Sequence, residues 1–158
     1  MPPESPEPAT ARGEEAHFRA LESLYRSAPI NGGFHSQIEI GGPGVARIRF
    51  QVDPAHFHAA AAAHGTLYFK MMDDAAFYAC NSTISDRFLL TTAFNLVFSR
   101  PLKAGEVVAE GRWISGRRRV LIGEARLIDS TGEEAARGTG TFMRSHIALS
   151  SLPGYRGS

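Results

Sequence analysis

Between His64 and Ser82 the chain reads HGTLYFKMMDDAAFYACNS, an apolar stretch that nevertheless carries Lys70, Asp73 and Asp74. A carboxylate buried there is costly unless it is paired or hydrogen-bonded. Kept there, it could act as a general base on water or as a nucleophile. The competing account is a salt bridge, because Lys70 lies three residues before Asp73 and four before Asp74, both within reach on a helix. On the residues alone the ion pair is the stronger account, since structural pairs are common. The two aspartates point about 100° apart around a helix, so they need not share an environment. Gly65 opens the same segment. The first N–H groups of a helix have no internal partner and favour developing negative charge in front of them. A plain turn glycine is the alternative.

Other reactive residues form weaker patterns. His56, His58 and His64 cluster in sequence, but no cysteine or carboxylate spacing completes a metal set, so no metal and no cofactor is expected. Cys80 is the only cysteine and lies in apolar sequence with no histidine in helical register, which points to a structural thiol. There is no GxSxG elbow. GGPG at 41–44 is not followed by a helix and lacks phosphate-loop spacing.

The elements that must hold these residues follow from periodicity. Phe18, Leu21, Leu24 and Tyr25 predict an amphipathic helix over 14–27. Strands are predicted at 36–41 and 45–52, the second alternating Ala46, Ile48, Phe50 and Val52 with Arg47, Arg49 and Gln51. The 66–82 segment is apolar nearly all round, as in a helix inside a structure. Four strand-like runs follow at 88–99, 106–115, 118–129 and 135–144, with SGRR and STGE as hairpin turns. The 88–98 run is apolar on both faces and is expected to be covered on both sides. The order is that of an α+β chain with a mostly antiparallel sheet of five or six strands, curved around one long helix.

With 158 residues the chain fits one domain able to form its own core. A disordered lead-in is expected over 1–13, a single domain over 14–147 and a flexible tail over 148–158. The formal net charge of +1 gives no reason to expect nucleic acid or an anionic membrane as the partner. The start lacks a signal-peptide profile and no apolar run is long enough to span a bilayer. With a single cysteine, these features lead to the expectation of a reducing cytoplasm.

The arrangement and several motifs resemble hotdog-fold acyl-CoA thioesterases, in particular the PaaI-like (phenylacetate-pathway) branch. His64-Gly65, an aspartate nine residues after the histidine, and AFYACNS carry the likeness. TTAFNLVFSRPLKAGEVVAEGRWISGRR resembles the family's third strand, Arg-Pro turn and following hairpin, and DSTGEEAARGTGTFM its closing hairpin. The likeness covers roughly residues 36–145. Two positions depart from the family pattern: Thr66 replaces the second glycine of His-Gly-Gly, and His58 stands where an asparagine is usual.

The resemblance implies that Asp73 acts on an acyl-CoA thioester, as general base or as nucleophile, leaving Asp74 to pair with Lys70. It implies that the Gly65 N–H polarises the carbonyl, that Thr91 holds the carboxylate or water, and that His64 orients the carbonyl or supports the turn. His58, Arg100, Arg117 and Arg118 are candidate substrate contacts, the arginines for the CoA phosphates. Gly65 and Asp73 are eight residues apart, about 12 Å of helix, too far for both to serve one carbonyl. Two helices side by side in opposite directions would bring Gly65 of one protomer to Asp73 of the other. A homodimer is therefore expected, and a tetramer is compatible with it. The competing function is a non-catalytic acyl-CoA binding or sensing protein, which would gain little from a buried carboxylate.

Overall fold

Alternating burial along β2 (Val45–Val52) gives the sheet one dry and one wet face, as the sequence predicts. In the computed structural model, residues 7–157 are described. Helix α1 (Glu7–Ser27) precedes β1 (Ser36–Gly42) and β2; α2 (Gly65–Asn81) follows, then β3 (Arg87–Phe98), β4 (Gly105–Ser115), β5 (Val120–Ile128) and β6 (Glu134–Ala148). The six strands form one antiparallel sheet in the order β1-β2-β4-β5-β6-β3. A long helix lies against this sheet, which is the hotdog arrangement expected. No helix among the described residues is long and apolar enough to cross a membrane.

Helix α2 packs on the sheet through Leu67, Met71, Met72, Ala75, Ala76, Ala79 and Cys80, all buried. The approach is so close that a Cβ on Gly111 of β4 would lie 2.0 Å from the Ala75 carbonyl oxygen. A side chain there would force the helix off the sheet, so glycine at this strand position sets the depth of α2.

Three expectations are corrected. The first helix begins at Glu7, not residue 14, so 7–13 are helical; Pro8 is tolerated in a first turn, where its missing N–H has no partner to lose. Residues 1–6 of the expected lead-in lie outside the described residues. The tail is packed rather than loose: Leu149 is buried, and the Tyr155 hydroxyl donates to His17 Nδ1 at 2.7 Å. Finally, β3 is not covered on both sides. It is an edge strand paired only with β6, and Leu90, Val97 and Phe98 are 48%, 65% and 54% exposed. An apolar pattern records that a surface is suited to burial, and nothing among the described residues lies over it.

The other edge differs. Helix α1 lies along β1, where Glu22 Oε1 accepts the Ile40 N–H at 2.9 Å and Arg19 donates to the Ile40 carbonyl at 2.8 Å. These bonds occupy backbone groups that an edge strand otherwise leaves open.

Candidate active site

The chain enters α2 through a tight loop. The His58 N–H donates to the Ala62 carbonyl, and His58 Nδ1 accepts the Ala60 N–H at 3.0 Å. Ala61 takes a left-handed conformation, with φ of 60°. The His58 ring is thus engaged with its own loop through Nδ1. His64 is the N-cap of α2: its Nδ1 accepts the Thr66 N–H at 3.0 Å, and its carbonyl accepts the Leu67 N–H at 2.9 Å. Among the described residues the Gly65 N–H has no acceptor. Phe98 closes over this point, and a Cβ on Gly65 would meet its ring at 3.2 Å. Glycine there leaves room beside an open backbone donor.

Two turns along the helix, the Thr91 hydroxyl of β3 donates to Asp73 Oδ1 at 2.8 Å. One turn before Asp73 on the same helix is Phe69, edge-on to Phe94 of β3 at 5.9 Å; one turn after it is Phe77, 5.0 Å from Phe88 of β3. The carboxylate therefore sits between two aromatic pairs, with one neutral donor. Burial pushes its carboxyl up to about 6; the Thr91 hydrogen bond opposes this, the nearby Asp74 charge adds to it, and Lys70 opposes it. A base poised near neutrality is well placed to take a proton from water.

Asp74 faces the other way. Lys70 pairs with it, as the resemblance implies, and also donates to Asn31. The Lys70 ammonium lies 5.2 Å from the Tyr25 ring centre and 5.0 Å from that of Phe34. Asn31 sits in a turn 39 positions upstream, and no local spacing marks it as a partner. The aromatic residues flanking Asp73 were visible in the sequence as apolar residues; their pairing across α2 and β3 was not.

The arginines fall at opposite ends. Arg100 follows β3 near the start of α2, where its carbonyl accepts the Tyr68 hydroxyl at 2.7 Å. Its guanidinium lies 3.8 Å from Asp129 and 3.7 Å from Glu133. Arg117 and Arg118 occupy the β4–β5 turn, with Arg117 over the Trp113 ring at 4.8 Å. That turn is beside the far end of α2: the Trp113 N–H donates to Gly44, whose own N–H donates to Ser82. Within one protomer the structure does not bring Arg100 together with Arg117 and Arg118. Nor does it bring Gly65 to Asp73, since both lie on one continuous helix, about two turns apart.

Residues 61–136 match the family model described as Thioesterase superfamily. The fold is similar to that of the E. coli PaaI protein from the phenylacetic acid degradation operon, at 18% identity and a TM-score of 0.78, covering 85% of this chain and 97% of that one. A variant of the phenylacetic acid degradation protein PaaI from Thermus thermophilus is 24% identical, with a TM-score of 0.68 over 75% of this chain and all (100%) of that one. A conserved protein of Pseudomonas aeruginosa is 26% identical, with a TM-score of 0.70 over 75% of this chain and 94% of its own. No curated protein matches the chain. The fold is the hotdog fold, and the chain resembles the PaaI-like thioesterases within it.

Proposed function

We propose that this PaaI-like hotdog protein hydrolyses acyl-CoA thioesters at sites shared between two protomers. The superfamily match supports thioester hydrolysis in general; the residue roles and the CoA substrate are our reading. The observation that carries it is Asp73, raised to about 6 by burial, held by Thr91 and facing the uncovered β3 side. As base, Asp73 takes a proton from water, and the hydroxide adds to the acyl carbon. The oxyanion is met by the Gly65 N–H of the other protomer. The C–S bond then breaks, and the proton on Asp73 passes to the departing thiolate. As nucleophile, Asp73 would instead add to the acyl carbon and expel the CoA thiolate, leaving a mixed anhydride that water opens to the free acid and the Asp73 carboxylate. Thr91 orients the carboxylate, His64 secures the helix start, and His58, Arg100, Arg117 and Arg118 contact the substrate.

The dimer has its own support. Phe69 on α2 is 44% exposed, and with Leu90, Val97 and Phe98 it gives the β3 side an apolar surface beside an open strand edge. Pairing two β3 edges antiparallel would set the two α2 helices antiparallel. It would also bring the partner's β4–β5 turn toward the end where Arg100 stands, gathering basic groups for the CoA phosphates. Tetramers remain compatible with this pairing. The buried Cys80 thiol, pushed up to about 12 by burial, takes no part in the chemistry and fits a cytoplasmic setting.

An acyl-CoA panel with free-thiol detection tests the activity, run on the native chain and Asp73→Asn. Hydrolysis is expected from the first and should collapse in the second; equal turnover by both would remove Asp73 from the mechanism. Mixing Asp73→Asn with Gly65→Pro subunits tests the shared site. Each parent dimer should be inactive, while the hybrid holds one intact site and recovers activity.

A further inference from the structure

Asn81, the last residue of α2, is fully buried at 0% exposure, and its side chain is fully engaged. Its Oδ1 accepts the Leu89 N–H at 3.0 Å, and its Nδ2 donates to the carbonyls of Ile84 at 3.1 Å and Arg87 at 3.0 Å. Its own carbonyl accepts from His17 Nε2 at 2.9 Å, so the proton lies on that nitrogen and Nδ1 takes the Tyr155 hydroxyl. A buried amide with every group matched is specific to one arrangement of its surroundings.

That arrangement is the seating of β3. The β3–β6 ladder loses register between Arg87 and Leu89 and again between Thr91 and Ala93. Leu89 to Thr91 is thus a short run between two irregularities, on a strand with no second neighbour among the described residues. The ladder alone does not fix how this run sits along α2, whereas the bond from Asn81 to Leu89 ties it directly to the helix. Leu89 and Thr91 share one face of the strand, as residues two apart do. Leu89 is fully buried, and Thr91 reaches Asp73.

We infer that Asn81 is a positioning residue: its amide seats β3 against α2 so that the Thr91 hydroxyl meets Asp73. Its effect on turnover rests on the function proposed above; its effect on Asp73 does not. The test is a carbon-13 NMR titration of the Asp73 carboxyl in the full chain and in Thr91→Val, Asn81→Ser and the double variant. Thr91→Val should move the Asp73 midpoint up by about half a pH unit or more, since a hydrogen bond to the charged form is lost. Asn81→Ser should move it the same way, and the double variant no further than Thr91→Val alone. An unmoved midpoint in folded Asn81→Ser, or full additivity in the double variant, overturns the inference. If Asn81→Ser does not fold, replacing the Leu89 amide by an ester through semisynthesis removes only the N–H that faces Asn81; an unmoved midpoint there overturns it equally. Should the native chain fail to cleave any acyl-CoA, the functional reading falls while these titrations still decide the role of Asn81.

Discussion

Asp74 lies on the side of α2 that faces α1 and the 29–33 turn, and Asp73 lies on the side that faces β3. Burial raises both carboxyls. Asp74 is answered by an ammonium one helical turn away, itself held by Asn31 and two aromatic rings. Among the described residues Asp73 has one hydroxyl and no cation in contact. Adjacent residues of one type thus divide into a charge whose partner is inside the chain and a charge left available to something outside it. The first kind holds a structure together, and the second is what a reacting site needs.

Opposite substitutions should therefore leave opposite signatures. The largest effect is expected from Asp73→Asn, with turnover falling about a thousandfold or more, roughly 4 kcal/mol of barrier. The same variant should gain stability. A carboxyl that titrates near 6 in the fold and near 3.8 unfolded is disfavoured in its ionised form by folding. The native chain thus loses stability as pH rises through about 6, so the melting-temperature gain of Asp73→Asn should be full above pH 7 and absent below pH 4. A gain that is flat with pH would break the comparison.

Next, Lys70→Met should lower stability by about 3 kcal/mol, because Asp74 is left buried without its cation. Folded Lys70→Met should still turn over substrate, and loss of turnover without loss of stability would assign the pair to the chemistry. A smaller effect, within about tenfold, is expected for Thr91→Val, read as an acid limb of the rate profile moved to higher pH. Smallest is His64→Ala, expected to cost about 1 kcal/mol by urea titration through loss of the helix cap.

Much of this frame was legible in the chain. Alternation of period two marked β2, strand-like runs between turn residues marked the later strands, and the i, i+4 spacing marked Lys70 with Asp74. What was hidden depended on distant segments. Asn31 reaches Lys70 from another turn, and Tyr155 reaches His17 across 138 positions, so a tail that reads as loose is packed. The apolar β3 pattern reported burial correctly as a need but not what meets it. Asn81 read as one letter of a motif, and its role emerges only once the broken β3 register is seen.

The unequal edges of the sheet also limit how large an assembly can become by strand addition. Two bare edges would let each copy recruit another at either end, and growth would run on as a fibre. Here α1 side chains engage Ile40 on the β1 edge, whereas the β3 margin carries no such cover among the described residues. A two-fold meeting at that margin uses it up in both copies, so joining the sheets would be self-terminating.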